Sequence, residues 1–387
     1  MTVVHIIWHL DIGGGELFLR DLVKALAARQ VAQHVFCVGP GGRLAPELVA
    51  LRIPVTVFEK RSTLGLATIR AMAAALRRVR PDLVHTHGEA GVFWGIPAAR
   101  LAGLPALTLV YQNYRETWAK MWAARALLRY PRAIVAGSAD VARFVEREWS
   151  VPSDRLHTIP CGIDPAAFAT PRRDSTSSGS PPVLVTVGRL VARKGHSVLL
   201  AALRHVRGVY PDVRLDLVGD GPLRGELQAT SRAYGVADAV RFLGTVYPIH
   251  PILGGADVFV FPSLVEPQGL AVLEAYAAGV PVVASRVGGI PEMLEDEIDG
   301  LLVRPGDPAD LARGVVRMLK DPAVRERCVA AAKRRLPAFD MQAIGRAYCR
   351  WYHDVLHQVA PTTDHVPTDL AGDDRAAADA ASLRDRA

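Results

Sequence analysis

Short apolar runs alternate with helix-length segments twice along this 387-residue chain, and that rhythm restricts the fold more than any single residue does. In the first half the runs fall at Val3–Trp8, His34–Val38, Val55–Phe58, Leu83–Thr86, Ala106–Val110 and Ala133–Ala136. The alternation restarts at Val183–Val187, Arg214–Val218, Val240–Phe242, Val258–Phe261, Val282–Ala284 and Leu301–Val303. Apolar runs of this length, bounded by turn-forming residues, read as strands buried on both faces, as in parallel sheets. Strands separated by helices need crossover connections, so each half is expected to form a doubly wound α/β sheet. Two such sheets imply two Rossmann-like domains facing a cleft, with ligands at the carboxyl ends of the strands.

The chain is long enough for two domains, and half of its residues are hydrophobic, ample for two cores. The expected division is an N-terminal domain over 1–170, a linker over 171–182 rich in Ser, Thr, Gly, Pro and Arg, and a C-terminal domain over 183–338. Met341–Val359, within 339–360, has helical spacing; 361–387, rich in Ala and Asp, is expected to be disordered.

No apolar run approaches the ~20 residues of a membrane helix, and Met1–Trp8 is too short and strand-like for a signal peptide. Four scattered cysteines argue against a disulfide framework or a zinc site and fit a reducing cytoplasm. The formal charge of +7 is uneven: Lys60 to Arg132 holds twelve Lys or Arg against three acids. That excess reads as solvated helix faces, or as a face meeting an anionic membrane or acidic acceptor. Trp118, Met121, Trp122 and Leu128 lie among Lys120, Arg125 and Arg129, a mixture suited to a membrane interface or to an amphipathic core helix. Nucleic acid is not expected, because no recognised binding motif accompanies the charge.

The chemistry concentrates in Ser263-Leu-Val-Glu266-Pro-Gln-Gly-Leu-Ala-Val-Leu-Glu274-Ala-Tyr-Ala-Ala-Gly279, between two apolar strands. Pro267 suits a helix start and Gly279 a helix end, so the segment reads strand, loop, helix, strand. A helix starting near Gly269 and Leu270 aims free N–H groups and a positive dipole end out of the sheet's carboxyl edge, where a phosphate can sit. Glu266 on the loop can accept from sugar hydroxyls, and Glu274 inside the helix from a second polyol such as ribose. Two solvated glutamates flanking an ordinary helix are equally compatible with the spacing.

Gly188-Arg189-Leu-Val-Ala-Arg193-Lys194-Gly195 leaves the first strand of the second half and leads into a helix. Arg189 offers a planar fork and Lys194 a point charge for a diphosphate; each alone reads as a surface cation, and the pair at a strand's carboxyl edge reads as a ligand site. Gly13-Gly14-Gly15-Glu16 makes an anion-friendly helix start without dinucleotide spacing. Leu217-Val-Gly219-Asp220-Gly221-Pro222 reads as a structural turn, and the Gly244-Thr-Val246 turn as the source of base contacts. His87 ends the strand Leu83–Thr86; such a histidine is more often structural than catalytic, and spacing offers no third metal ligand beside His85 and His87.

Glu266-Pro-Gln-Gly-Leu-Ala-Val-Leu-Glu274-Ala is similar to the Glu-x7-Glu signature of family-4 retaining glycosyltransferases of GT-B fold. Gly13-Gly-Gly-Glu16 resembles that family's Gly-Gly-Ala-Glu turn, and Gly188-Arg189…Lys194-Gly195 its Gly-Arg…Lys-Gly element. Gln268 departs from the pattern, where an aromatic is common. The resemblance implies GT-B architecture, with the last helix crossing back onto the first domain, Gly14 beside the donor phosphates or sugar, and His87 against the donor sugar. It implies a transferase moving a hexose from a nucleotide-diphosphate sugar to a glycan or lipid-linked acceptor with same-face attack, in polysaccharide or glycolipid synthesis.

No Asp-x-Asp occurs, so Arg189, Lys194 and the helix dipole are expected to replace a divalent metal, with no cofactor. The expected location is cytoplasmic, with peripheral contact at the inner membrane face. An epimerase or phosphorylase on the same fold, or a lapsed binding scaffold, are the alternatives.

Overall fold

The computed structural model describes residues 1–59, 65–111, 114, 117–169 and 180–357. The chain folds as two compact units: Met1–Gly162 with the segment from Asp340, and Ile163–Phe339. The first unit ends before the compositional boundary at 170. Ile163 donates its N–H to the Phe339 carbonyl (3.0 Å) and buries its side chain in the second core. Contacts, not composition, set this border. Residues 171–179 of the expected linker and the expected tail over 361–387 lie outside the described residues.

The first unit carries seven parallel strands: β1 (Thr2–Ile7), β2 (Ala32–Cys37), β3 (Val55–Val57), β4 (Leu83–His87), β5 (Ala106–Val110), β6 (Ala133–Ala136) and β7 (Leu156–Thr158). Their order is β3-β2-β1-β4-β5-β6-β7. The second unit holds β8 (Val183–Val187), β9 (Arg214–Val218), β10 (Val240–Gly244), β11 (Val258–Phe261), β12 (Val282–Ser285) and β13 (Leu301–Val303), ordered β10-β9-β8-β11-β12-β13. Six strands of each sheet thus follow the doubly wound 3-2-1-4-5-6 order, which reverses direction between β1 and β4 and between β8 and β11.

Most strand positions are apolar because both faces are covered, with buried polar exceptions such as His5, His85 and His87. In β11, Val258 and Val260 face the helices His196–Arg207 and Pro308–Lys320, while Phe259 and Phe261 pack with Val272, Leu273 and Tyr276 of the helix Leu270–Ala277. In the first unit Val4, Ile6 and Val84 face the helices Leu66–Val79 and Ile96–Ala102. The opposite face meets the helix Gly14–Ala27, with Val35 and Cys37 against Leu19 and Val23.

The helix Met341–His357 packs on this first unit beside Gly14–Ala27. Gly345 permits the approach, since a Cβ there would lie 2.8 Å from that of Ala25. Tyr348, Trp351 and Tyr352 are fully buried, and Arg29 holds the Gln342 side chain (2.9 Å) and carbonyl (2.8 Å).

Candidate functional site

In the second unit the site residues gather at the carboxyl ends of β8 and β11, the neighbouring strands where the order reverses. The loop after β8 turns through Gly195 at φ +64°, where a Cβ would lie 2.0 Å from the Pro262 carbonyl oxygen. Only glycine lets the two loops touch there. Arg193 then accepts at its carbonyl from the N–H groups of Leu264 (2.7 Å) and Val265 (3.2 Å), tying the loop after β8 to the loop after β11.

That clamp brings Lys194 to Glu266: Nζ lies 2.5 Å from Oε2, and 5.1 Å from the centre of the Phe261 ring. Ser263 Oγ donates to the same carboxylate oxygen at 3.0 Å, and the Glu266 carbonyl accepts from the Gly289 N–H (3.1 Å). The Lys194 and Glu266 side chains are only 17% and 7% exposed, so the two charges compensate one another out of bulk water. Gly269, at φ +99°, precedes the helix Leu270–Ala277; a Cβ on it would meet Phe261 at 3.1 Å and the Glu266 side chain at 3.4 Å. The amino end of that helix therefore starts beside the Glu266 side chain, with Leu270 and Glu274 half-buried along it.

Arg189 stands exposed at the exit of β8, and no side-chain hydrogen bond or ion pair of it is found among the described residues. The next turns are tied to the same edge. Gly219, at φ +134°, would put a Cβ 2.0 Å from the Gly188 carbonyl oxygen and donates its N–H to Gly244 at 2.8 Å. Gly244 (φ +70°) ends β10, and Val246 is half-buried against the core. Burial, reinforced by the Lys194 charge, lowers His196 to about 4, so the imidazole after Gly195 is neutral.

In the first unit the sites lie at the same kind of place, after β1 and β4. Gly14, exposed, opens the helix Gly14–Ala27 after β1. His87, at the end of β4, is 2% exposed. Its Nε2 lies 3.0 Å from His5 Nδ1, and its Nδ1 lies 3.5 Å from the Tyr111 hydroxyl. Sequence spacing suggested no third ligand beside His85 and His87. The sheet supplies one: β1 runs parallel to β4 with His5 opposite His85, and nitrogens of the three rings lie within 4.8 Å of one another. Burial drives all three toward the neutral form, His5 to about 4 and the other two well below the usual histidine range.

His5, Tyr111 and Ser263 are neighbours of the site that sequence reading did not single out. A signal for His5 exists in strand parity, since His5, His85 and His87 share one sheet face once the β1–β4 register is known.

Solved structures share this two-sheet arrangement. Anabaena HepE in complex with UDP-glucose aligns with a TM-score of 0.82 at 23% identity, over 92% of this chain and all of that one (100%). Sucrose-phosphate synthase from Thermosynechococcus elongatus gives a TM-score of 0.81 at 23% identity, over 92% and 99%. The fold is thus that of the GT-B glycosyltransferases. Residues 12–167 match the model for Glycosyltransferase Family 4 and residues 168–335 that for Glycosyl transferases group 1. The lipopolysaccharide core biosynthesis glycosyltransferase LpsD of Rhizobium meliloti is 32% identical over 90% of this chain and 97% of its own length. A D-inositol 3-phosphate glycosyltransferase of Nocardiopsis dassonvillei is 30% identical over 83% and 85%. The chain belongs to the family-4, group 1 glycosyltransferases. Among the described residues, no helix is long and apolar enough to cross a membrane.

Proposed function

We propose that this glycosyltransferase moves a hexose from a nucleotide-diphosphate sugar to a hydroxyl of a glycan or lipid-linked acceptor, with retention and without a metal. One observation carries the reading: Lys194, Glu266 and the amino end of Leu270–Ala277 converge at the switch point of the second sheet. Such an edge is where doubly wound sheets hold phosphorylated ligands. HepE, solved with UDP-glucose, supports a nucleotide-sugar donor, and LpsD supports an acceptor in surface glycan synthesis.

The donor phosphates meet the helix N–H groups, Arg189 and Lys194. Positive charge placed there before reaction stabilises the negative charge that builds on the leaving phosphate. Glu266 and His87 orient the hexose, Glu274 the ribose, Gly14 approaches the donor phosphates or sugar, and the Gly244–Val246 turn the base. In same-face attack the leaving phosphate itself takes the acceptor proton, so no protein nucleophile is assigned.

A panel of nucleotide sugars tested for thermal stabilisation identifies the donor, since a ligand in excess of its Kd raises apparent stability. With that donor, Lys194→Met and Glu266→Gln should each cut turnover by at least ~100-fold, the scale of losing one preorganised charge contact, and a chelator should leave wild-type turnover intact. Near-normal turnover in both variants would sink the assignment. Loss of activity on chelation would remove its metal-independent part, and a new sugar nucleotide or sugar phosphate as product would redirect it to an epimerase or phosphorylase.

A further inference from the structure

The hydrogen bonds behind His87 form a chain in which each donor is dictated by the one before it. It begins at the Val23 carbonyl, which only accepts. Gln33 Nε2 lies 2.9 Å from that oxygen, so the amide nitrogen must face it, and Gln33 Oε1 faces the other way. Oε1 lies 3.2 Å from His5 Nε2 and can only accept, so the proton of His5 sits on Nε2. In a neutral ring this leaves a lone pair on His5 Nδ1, which is 3.0 Å from His87 Nε2. His87 must then donate from Nε2, and its own lone pair falls on Nδ1. The Tyr111 hydroxyl, 3.5 Å away, is placed to donate to that nitrogen through a long, weak bond.

We propose that Gln33 and His5 are positioning residues that fix the tautomer of His87 and keep its Nδ1 an acceptor, which a hydroxyl of the donor sugar takes over from the weak Tyr111 contact. The sugar contact rests on the role of His87 proposed above; the tautomer does not. Gln33 is 8% exposed and His5 fully buried, so water does not scramble the chain. Burial keeps His5 and His87 neutral, the condition under which one proton per ring makes the order unambiguous. His85 stands outside the relay: its Nδ1 pairs with the Tyr352 hydroxyl at 2.6 Å, and its Nε2 is buried without a partner. A metal ion drawn in by the three rings would take a lone pair from each and compete with the hydrogen bond between His5 and His87.

The test is a long-range proton–nitrogen correlation on the full chain labelled with 15N-histidine, the His87 signal being identified by its loss in His87→Gln. The wild type should show His5 and His87 both protonated on Nε2, and one equivalent of Zn2+ should leave them so. Gln33→Leu should give a mixture of His87 tautomers. Gln33→Glu keeps an acceptor oxygen toward His5 and should restore the single form. Melting curves identify any variant that fails to fold, and the wild-type and Zn2+ spectra test the relay without any variant. His87 protonated on Nδ1, or a Zn2+ shift of all three rings, overturns the relay, as does an unchanged His87 signal in folded Gln33→Leu. With the donor, Gln33→Leu should lower kcat/KM about tenfold, the scale of one net hydrogen bond, while leaving the Kd for the nucleoside diphosphate unchanged. A confirmed tautomer with unchanged kcat/KM would uphold the relay and reject the sugar contact.

Discussion

Lys194 and Glu266 are each proposed to bind the donor, and in the folded chain each is the other's counter-charge. Removing one partner strands a charge where little water reaches it, which typically costs ~3–5 kcal/mol for a buried pair, and we expect about 3 kcal/mol for either single variant because Lys194 keeps some exposure. The double variant Lys194→Met/Glu266→Gln should lose much less than the sum of the two singles, read from urea midpoints in a double-mutant cycle. Additive losses would show that the pair contributes nothing as a pair. Each residue had only an ambiguous local signature: a cation in a strand-to-helix loop that alone reads as a surface charge, and an acid before a helix that reads equally as solvated. Their contact had none, since 72 positions separate them and only the juxtaposition of β8 and β11 brings them together. His5 escaped for the same reason: nothing local marks it, and only the β1–β4 register brings it against His87.

At the scale of elements, the loop after β8 depends on a backbone shape that side chains resist. Gly195→Ala would add both a left-handed φ penalty and a clash with the Pro262 carbonyl, so a loss of more than about 2 kcal/mol is expected. It should also displace Lys194 and weaken nucleoside diphosphate binding, measured by calorimetry beside the melting curve; a wild-type Kd and melting point would refute the account of the clamp. The helix Trp118–Leu127 presents Trp118 at 76% and Trp122 at 57% exposure, with exposed Lys120, Arg125 and Arg129 around them. We expect it to dip into an anionic bilayer. Trp118→Ala/Trp122→Ala should reduce co-sedimentation with phosphatidylglycerol vesicles by about tenfold while leaving neutral vesicles unbound; equal binding by wild type and variant would remove that role. Part of the basic excess has a plainer use: Arg77 binds the Leu101 carbonyl, Arg100 stacks 3.8 Å over Tyr130, and Lys120 pairs with Glu89 at 2.8 Å. Strand positions were largely readable because strands covered on both faces are mostly apolar. β7 was not, since its Leu-His-Thr is half-buried at a sheet edge and carries no apolar run.

Across the whole molecule, acid should act unequally on the two units. A histidine held below its unfolded pKa of about 6.5 takes up a proton on unfolding between the two values, so its contribution is full above pH ~6.5 and falls as pH drops toward the folded value, by about 1.4 kcal/mol per pH unit. His5, His85 and His87 act this way in the first unit, against His196 in the second, where Asp299, raised by burial, works in the opposite sense. All six tryptophans lie in the first unit, so their fluorescence follows that unit while far-UV dichroism follows both. Between pH 7.5 and 5.5 the fluorescence midpoint in urea should fall further than the midpoint of the remaining dichroism change; parallel shifts would show that the buried histidines do not govern acid stability. The sequence by itself determined two doubly wound sheets and where the loops at their edges fall, because apolar periodicity and turn residues act over a few neighbouring positions. The tertiary structure alone decided that Lys194 meets Glu266, that His5 stands behind His87, and that the second unit begins at Ile163. The first two depend on strand order and register, through which a parallel sheet brings distant parts of the chain into contact, and the last on the hydrogen bond from Ile163 to Phe339.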